Sequence, residues 1–337
     1  LVDVRQSSRQ TNIRAEQVEL LPKGRDFTGV ATQAAGASQE GFLGGISIDG
    51  ASGSENRFVI DGVDTTDAFD GTSGQNLITE FIEEVQVKSA GYPAEFGGSV
   101  GGVVNAVTKS GTNEFKGWVG VYYNDRGWDG AERPTPYDTG VSLYRTFEED
   151  DITRTEPGFG IGGPIAKDMA WFYGGYTYTE VATDRTPPGQ TTKSQTDKSE
   201  YYLLNIKGNV GSSFLYKVSG NWAPRNLDNT LPARDGSTPE SVNLNVDTEI
   251  PTYSYSGYAD WIPSDNFYLS GRLGFYSTDT SVTADFAPYR IFFRDRAFPI
   301  IGDPRFRPAS FASVPTAAVT GTEFDLFERE AASLDGN

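Results

Sequence analysis

Four aspartates, Asp61, Asp64, Asp67 and Asp70, recur at every third residue. Carboxylates gathered on a loop are what Ca2+ binds, but an EF-hand loop uses alternate positions and ends on a glutamate at its twelfth. This run has neither. It reads first as a solvated acidic turn at the apex of a small domain, with Asp61, Asp64 and Asp67 kept as the lesser, calcium-binding alternative. A second acidic run, Glu148-Glu149-Asp150-Asp151, suggests paired-carboxylate chemistry. Four like charges in a long polar stretch are more simply a solvated loop. Gly97-Gly98-Ser99-Val100-Gly101-Gly102 resembles a phosphate cradle, yet no Lys-Ser/Thr follows and the next segment has strand character, which argues against a nucleotide site.

Histidine and cysteine are both absent. The usual general base near neutral pH, the commonest transition-metal ligand and all thiol and disulfide chemistry go with them. No nucleophile motif replaces them, so an enzyme is the weakest reading, and no cofactor is expected. The net charge of −18, from 46 acidic and 28 basic residues, disfavours nucleic acid, whose phosphates are bound by Lys and Arg. Arginines concentrate only at Arg290, Arg294, Arg296, Arg305 and Arg307. Arg290, Arg294 and Arg296 are candidate contacts to an acidic ligand or to lipopolysaccharide. The alternative is that the cluster balances Asp285, Asp295 and Asp303.

The elements that would carry these groups fall into two parts. Residues 1–112 have the pattern of a small α+β unit: weakly helical over 14–35, then strands near 45–49, 57–61, 83–89 and 102–108. Asp61-Gly62 reads as a tight turn between extended pieces. Val59, Ile60, Val63, Ile82, Val85, Val87, Val103, Val104 and Val107 are the candidate core. Gly91, Gly97, Gly98, Gly101 and Gly102 would serve where the backbone turns tightly or approaches another surface closely.

From residue 113 to 337 the rhythm is different. Period-two alternation over about ten residues recurs, as in a strand crossing a bilayer at a tilt. Phe115, Val119, Val121 and Tyr123 oppose Lys116, Trp118, Tyr122 and Asn124, and Tyr202, Leu204, Ile206 and Val210 oppose Asn205, Lys207 and Asn209. Lys217, Ser219 and Asn221 form the polar side of the next strand. Short connections at 166–169, 211–213 and 263–266 alternate with long polar ones at 126–154, 181–199, 224–251 and beyond 280. That sorting is expected of a membrane barrel with short inner turns and long outer loops. Seven strands end near residue 280 with no eighth legible beyond, and an odd number cannot close, so the chain reads as the N-terminal portion of a longer barrel. It opens at Leu1 with no signal-peptide pattern, as a mature or truncated chain would. Aromatics near strand ends, Tyr122, Tyr123, Trp171, Tyr201, Trp222, Tyr253 and Trp261, suggest an interfacial girdle, with a carbohydrate-stacking platform as the alternative.

Residues 81–117, with Phe58-Val-Ile-Asp-Gly-Val-Asp64, Gly162-Gly-Pro-Ile-Ala-Lys-Asp168 before Trp171-Phe172-Tyr173, and Leu20-Leu21-Pro22 with Gly24-Arg25-Asp26-Phe27, resemble the plug-to-barrel junction of TonB-dependent outer-membrane receptors, nearest to the Oar-like subgroup. The resemblance covers roughly residues 10–225. It implies a plug inside a 22-stranded barrel in a Gram-negative outer membrane and ligand-gated import energised in trans by the TonB complex. The ligand would be a peptide, protein or glycan. No TonB box is identifiable. An adhesion or protein-export-associated barrel of Oar type is the alternative function.

Overall fold

The computed structural model describes residues 9–18, 24–40, 45–92, 97–130, 135–136, 144–145, 148–211, 213–238, 240, 244–264, 266–286 and 320–336. Two sheets dominate it. The first contains β1 (Arg9–Arg14), β4 (Arg57–Ile60), β5 (Val63–Asp64), β6 (Ile82–Ala90) and β7 (Val103–Thr108) in the order β1-β6-β7-β4-β5. The β4–β7 pair is parallel and the other pairs are antiparallel. β2 (Ala37–Gln39) and β3 (Ile46–Ile48) form a separate hairpin. Among the described residues, two short helices, α1 (Ala15–Val18) and α2 (Phe27–Ala31), occupy the region expected to be helical, and β1 precedes them. Of the predicted core, Val59, Ile60, Val63, Ile82, Val85, Val87, Val103 and Val104 are buried, while Val107 is half-buried. Asp61 and Gly62 both adopt positive φ, 47° and 84°, which is the two-residue hairpin turn between β4 and β5.

The second sheet is an antiparallel wall. It runs from β8 (Lys116–Asp125) through β11 (Asp151–Ala166), β12 (Ala170–Arg185), β13 (Lys193–Val210), β14 (Phe214–Trp222), β17 (Thr252–Ser264) and β18 (Phe267–Phe286) to β19 (Thr320–Gly336). The short strands β9 (Thr135–Pro136) and β10 (Tyr144–Arg145) pair with each other between β8 and β11. β15 (Arg225–Asp228) and β16 (Val246–Ile250) continue the β14–β17 hairpin outward beyond Pro224 and Pro251, and pair with β13 and β18 on either side.

The short connections fall where expected, between β11 and β12, β13 and β14, and β17 and β18. Two expectations are corrected. β12 and β13 pair as far as Arg185 and Lys193, so the connection there is 186–192 and not 181–199. Ladder hydrogen bonds continue where both faces are polar, and alternation cannot report a strand once both faces meet water. β19 pairs along β18 from Gly271 to Phe286 and supplies the eighth main strand. Its sequence, with Glu323, Asp325, Glu328, Arg329 and Glu330, carries charges that conceal a barrel strand.

The outer face is apolar. Val119, Val121, Phe159, Ile161, Leu204, Val218, Leu269 and Leu273 are all exposed there. An aromatic row crosses it in register: Phe159 opposite Tyr176, Tyr176 opposite Tyr202, Tyr202 opposite Trp222, and Trp222 opposite Tyr253. Tyr202 and Val210 are eight residues apart on β13, about 26 Å along a strand, and less along the barrel axis once tilt is counted. That matches the ~25 Å apolar band of outer-membrane barrels. Tyr122, Trp171 and Tyr201 do not belong to the girdle. They share the inner-face parity, and Tyr201 is buried against the first sheet. Among the described residues no helix is long and apolar enough to cross a membrane.

Leu204 is outward and Asn205 is buried inward. Leu204→Arg should therefore impair barrel assembly by ~2–4 kcal/mol, the cost of a charge at the bilayer midplane. Asn205→Arg should still insert, but with a loosened first domain. Folding yields measured by heat-modifiable gel mobility check both. Equal yields would refute the register.

Candidate functional site at the contact between plug and wall

The first domain lies against the inner face of the wall, and hydrogen bonds and ion pairs make much of the contact. Its best-connected group is Asp61. The positive-φ turn projects this carboxylate out of the β4–β5 hairpin. There Oδ1 accepts from Thr108 N (3.1 Å) and Lys217 Nζ (2.8 Å), and Oδ2 accepts from Thr108 Oγ1 and from Ser219 Oγ at 2.7 Å. Asp61 and Lys217 are nearly sealed, with side-chain exposures of 5% and 10%. Lys217 and Ser219 alternate on β14 and so point inward together. From the neighbouring strand, Asn205 Nδ2 donates to Thr108 Oγ1 and to the Lys109 carbonyl, each at 2.6 Å, and Lys207 Nζ donates to Ser110 Oγ at 2.7 Å.

Further contacts extend along the wall. Gln75 Nε2 donates to the Asn221 carbonyl (3.1 Å) and Asn76 Nδ2 to Tyr201 Oη (3.1 Å). Arg25 pairs with Glu80 of its own domain (2.7 Å) and with Glu156 of β11 (2.8 Å), and lies 3.8 Å over the Tyr122 ring. At the opposite end Asn113 binds the β11–β12 turn, donating to Asp168 Oδ1 (2.5 Å) and accepting from Asp168 N (2.9 Å) and Trp171 Nε1 (2.7 Å). Apolar contact accompanies them: Tyr173, Tyr201, Leu203 and Ala223 join Phe81 and the rest of the first domain's core in one buried cluster, with Trp118 packed against it. Gly175 permits it, since a Cβ there would lie 2.5 Å from Phe81 Cε1.

The acidic run is dispersed by this arrangement. Asp61 binds the wall, Asp64 pairs with Arg57 at 3.2 Å, and Asp67 and Asp70 accept from backbone amides of their own loop. Each carboxylate is engaged separately, so Asp61, Asp64 and Asp67 do not form a shared oxygen cage. No group of three acidic residues suited to a metal occurs among the described residues. Nor are Asp61 and Gly62 at an apex facing the long loops. They sit level with Lys217, close to the short turn at 211–213.

The glycines divide by role. Gly91 and Gly98 adopt positive φ, 65° and 89°. A Cβ on Gly101 would lie 2.6 Å from Asn56 Oδ1, and one on Gly102 2.6 Å from Ile48 Cδ1, so both permit close packing inside the domain and not against the wall. The glycines that approach the wall are others: Gly74 beside Tyr276 and Gly111 beside the Phe172 backbone. Arg290, Arg294 and Arg296 lie outside the described residues, as does Gly97's neighbour Phe96. The inner-face polarity of Lys217, Ser219, Asn205 and Lys207 was legible as alternation. Their partners were not, because the contacts span about a hundred residues or more of sequence and no local pattern encodes them.

Breaking the Asp61–Lys217 pair from one side should be costly, since an uncompensated buried charge remains. Lys217→Met is expected to weaken docking of the first domain by ~3–5 kcal/mol. Asp61→Asn combined with Lys217→Met should cost less than the sum of the two. Protease sensitivity of residues 9–108 in the membrane-inserted protein, compared across this double-mutant cycle, is the measurement.

Residues 3–103 match the family model described as TonB-dependent Receptor Plug Domain. The TonB-dependent transporter Oar of Myxococcus xanthus is 34% identical over 186 residues, covering 51% of this chain and 17% of that relative. The chain thus spans less than a fifth of the curated relative it matches. Among solved structures, a mutant of the ferric enterobactin receptor PfeA from Pseudomonas aeruginosa superposes with a TM-score of 0.55 at 15% identity, over 81% of this chain and 41% of that one. The outer-membrane transporter YddB of Escherichia coli gives 0.53 at 14%, over 81% and 48%. At these identities the structures speak for the fold alone. Residues 3–103 thus carry a TonB-dependent receptor plug domain, seated on the inner face of a barrel-like wall, in a chain similar in sequence to the transporter Oar.

Proposed function

We propose that this chain is the plug and leading strands of a ligand-gated transporter in the outer membrane of a Gram-negative bacterium, with the plug closing the lumen until work from the TonB complex displaces it. One observation carries the reading: the plug meets the wall through many polar contacts, such as Asp61–Lys217, Arg25–Glu156 and Asn205–Thr108, beside one apolar patch in which Tyr173, Tyr201, Leu203 and Ala223 join the plug's core. Such a contact is strong enough to hold a closed state. When the two part, the apolar surface exposed to water is that one patch, and water replaces the partners of the polar contacts around it.

Incomplete satisfaction points the same way. Asn221 Oδ1 and Nδ2 and Gln75 Oε1 are buried at the seam without a hydrogen-bond partner among the described residues. Such atoms lower the cost of separating two surfaces, because water satisfies them when the surfaces part. The apolar outer face and its aromatic row suit an outer-membrane position, with lipopolysaccharide as the surrounding lipid. The ligand would be a peptide, protein or glycan approaching from the long-loop side, and TonB would engage a segment on the other side.

Deleting residues 14–108 from the full-length protein should leave a barrel that inserts and conducts. The check is single-channel conductance in planar bilayers, with sensitivity to bulky antibiotics in cells. A variant that inserts but conducts no more than the intact protein would show that something else closes the lumen.

A further inference from the structure

Asp150 lies just ahead of β11, beyond the aromatic row and on the long-loop side of the wall, and its side chain is only 2% exposed. Two guanidiniums converge on it. Arg185, the last residue of β12, donates from Nε to Oδ1 at 2.8 Å and from Nη2 to Oδ2 at 2.7 Å. Arg234, from the connection between β15 and β16, donates from Nε and Nη2 to Oδ2 at 3.2 and 2.9 Å. The hydrogen bonds from Arg185 hold the Asp150 carboxyl below the usual carboxylate range, against its burial and with help from Arg234.

The position of Arg185 decides what this cluster does. On β12 it shares the parity of Tyr173, Thr177 and Thr179, which are buried on the inner face. The segment bonded to it therefore folds to the lumen side. Arg185 Nη1 also donates to the Pro232 carbonyl at 2.8 Å. The tip of the β12–β13 connection takes hold of the same segment: Gln190 Nε2 donates to the carbonyls of Gly236 (3.0 Å) and Thr238 (2.8 Å), and Thr191 Oγ1 donates to Glu240 at 2.7 Å. Within the segment, Ala233 N donates to Thr238 Oγ1 at 2.9 Å, so it has a shape of its own. At its root, Pro224 and Pro251 remove ladder donors from both strands of the hairpin at nearly one level, where Trp222 faces Tyr253 and Arg225 faces Ile250.

We propose that residues 229–238 form a strap folded inward over the mouth of the lumen and latched there by the Asp150–Arg185–Arg234 cluster. The strap rests on the reading of the wall as a barrel surrounding a lumen, and its latch requires nothing of transport. A single buried carboxylate shared by two arginines concentrates the hold at one point. Losing its charge leaves two guanidiniums facing each other without their counter-ion, so release should be cooperative. A ligand entering from the long-loop side would meet the strap before the plug, and the lumen would have two closures in series.

The test uses the full-length protein with Gln190→Cys and Thr238→Cys, joined by a short bifunctional methanethiosulfonate. In the otherwise native background cross-linking should be rapid. Asp150→Asn should slow it about tenfold, equivalent to ~1.4 kcal/mol of lost latching, while barrel folding by heat-modifiable mobility is unchanged. Arg234→Gln should slow it in the same direction and serves if Asp150→Asn fails to insert. Unchanged cross-linking in folded Asp150→Asn or Arg234→Gln protein would overturn the latch, and no cross-link in the native background would overturn the strap. The readout needs no uptake, so failure of the transport reading would leave it standing.

Discussion

A strand that alternates apolar and polar residues turns a polar face toward the inside of the barrel it helps to build, and that face must be met by water or by a polar body. In this protein the body is the plug. Lys217, Ser219, Asn205 and Lys207 point inward because their neighbours Val218, Leu204 and Ile206 point outward. The lipid-facing pattern thus gives much of the plug's seat its hydrogen bonds and ion pairs, beside the apolar patch of Tyr173, Tyr201 and Leu203. Asp61 answers with a carboxylate thrown outward by a two-residue turn that needs positive φ at both positions. The seat of the plug on the wall descends in large part from that alternation.

Much of the fold was legible for the same reason. Alternation in β8, β11–β14, β17 and β18 reported both strand and face, and the loop-length parity reported direction. The signal stops where its cause stops. Past the aromatic row both faces of a strand meet water, so β12 and β13 run on to Arg185 and Lys193 without a periodic signature, and β19 is masked by its charges. Position near a strand end does not report a face: Tyr201 is buried inward, and its neighbour Tyr202 holds the outward place, because successive residues of a strand face opposite ways.

The site was less legible. The Asp61-Gly62 turn could be read locally, but its level in the barrel could not. Lys217 is 156 residues away along the chain, and nothing in either neighbourhood specifies the other. The spacing of Asp61, Asp64, Asp67 and Asp70 reads first as a solvated acidic turn, with a shared calcium site as the lesser alternative, whereas the carboxylates have separate partners: a buried wall contact, an ion pair with Arg57 and two backbone caps within a loop. The glycines behaved similarly. Gly101 and Gly102 matter for packing within the plug, approach to the wall falls to Gly74 and Gly111, and Gly175 on the wall makes room for Phe81.

The proposed transport role requires that the plug, docked on the inner wall in the closed state, leave that position when substrate passes. A cysteine pair at Thr108 and Asn205, whose side chains are 2.6 Å apart at Oγ1 and Nδ2, tests it most directly in the full-length receptor in native membranes. The account predicts that the disulfide forms on mild oxidation, joins plug to barrel after cleavage of the chain between them, and blocks uptake until a reductant is added. Failure of the pair to cross-link in folded protein, or undiminished uptake with the disulfide fully formed, would contradict it.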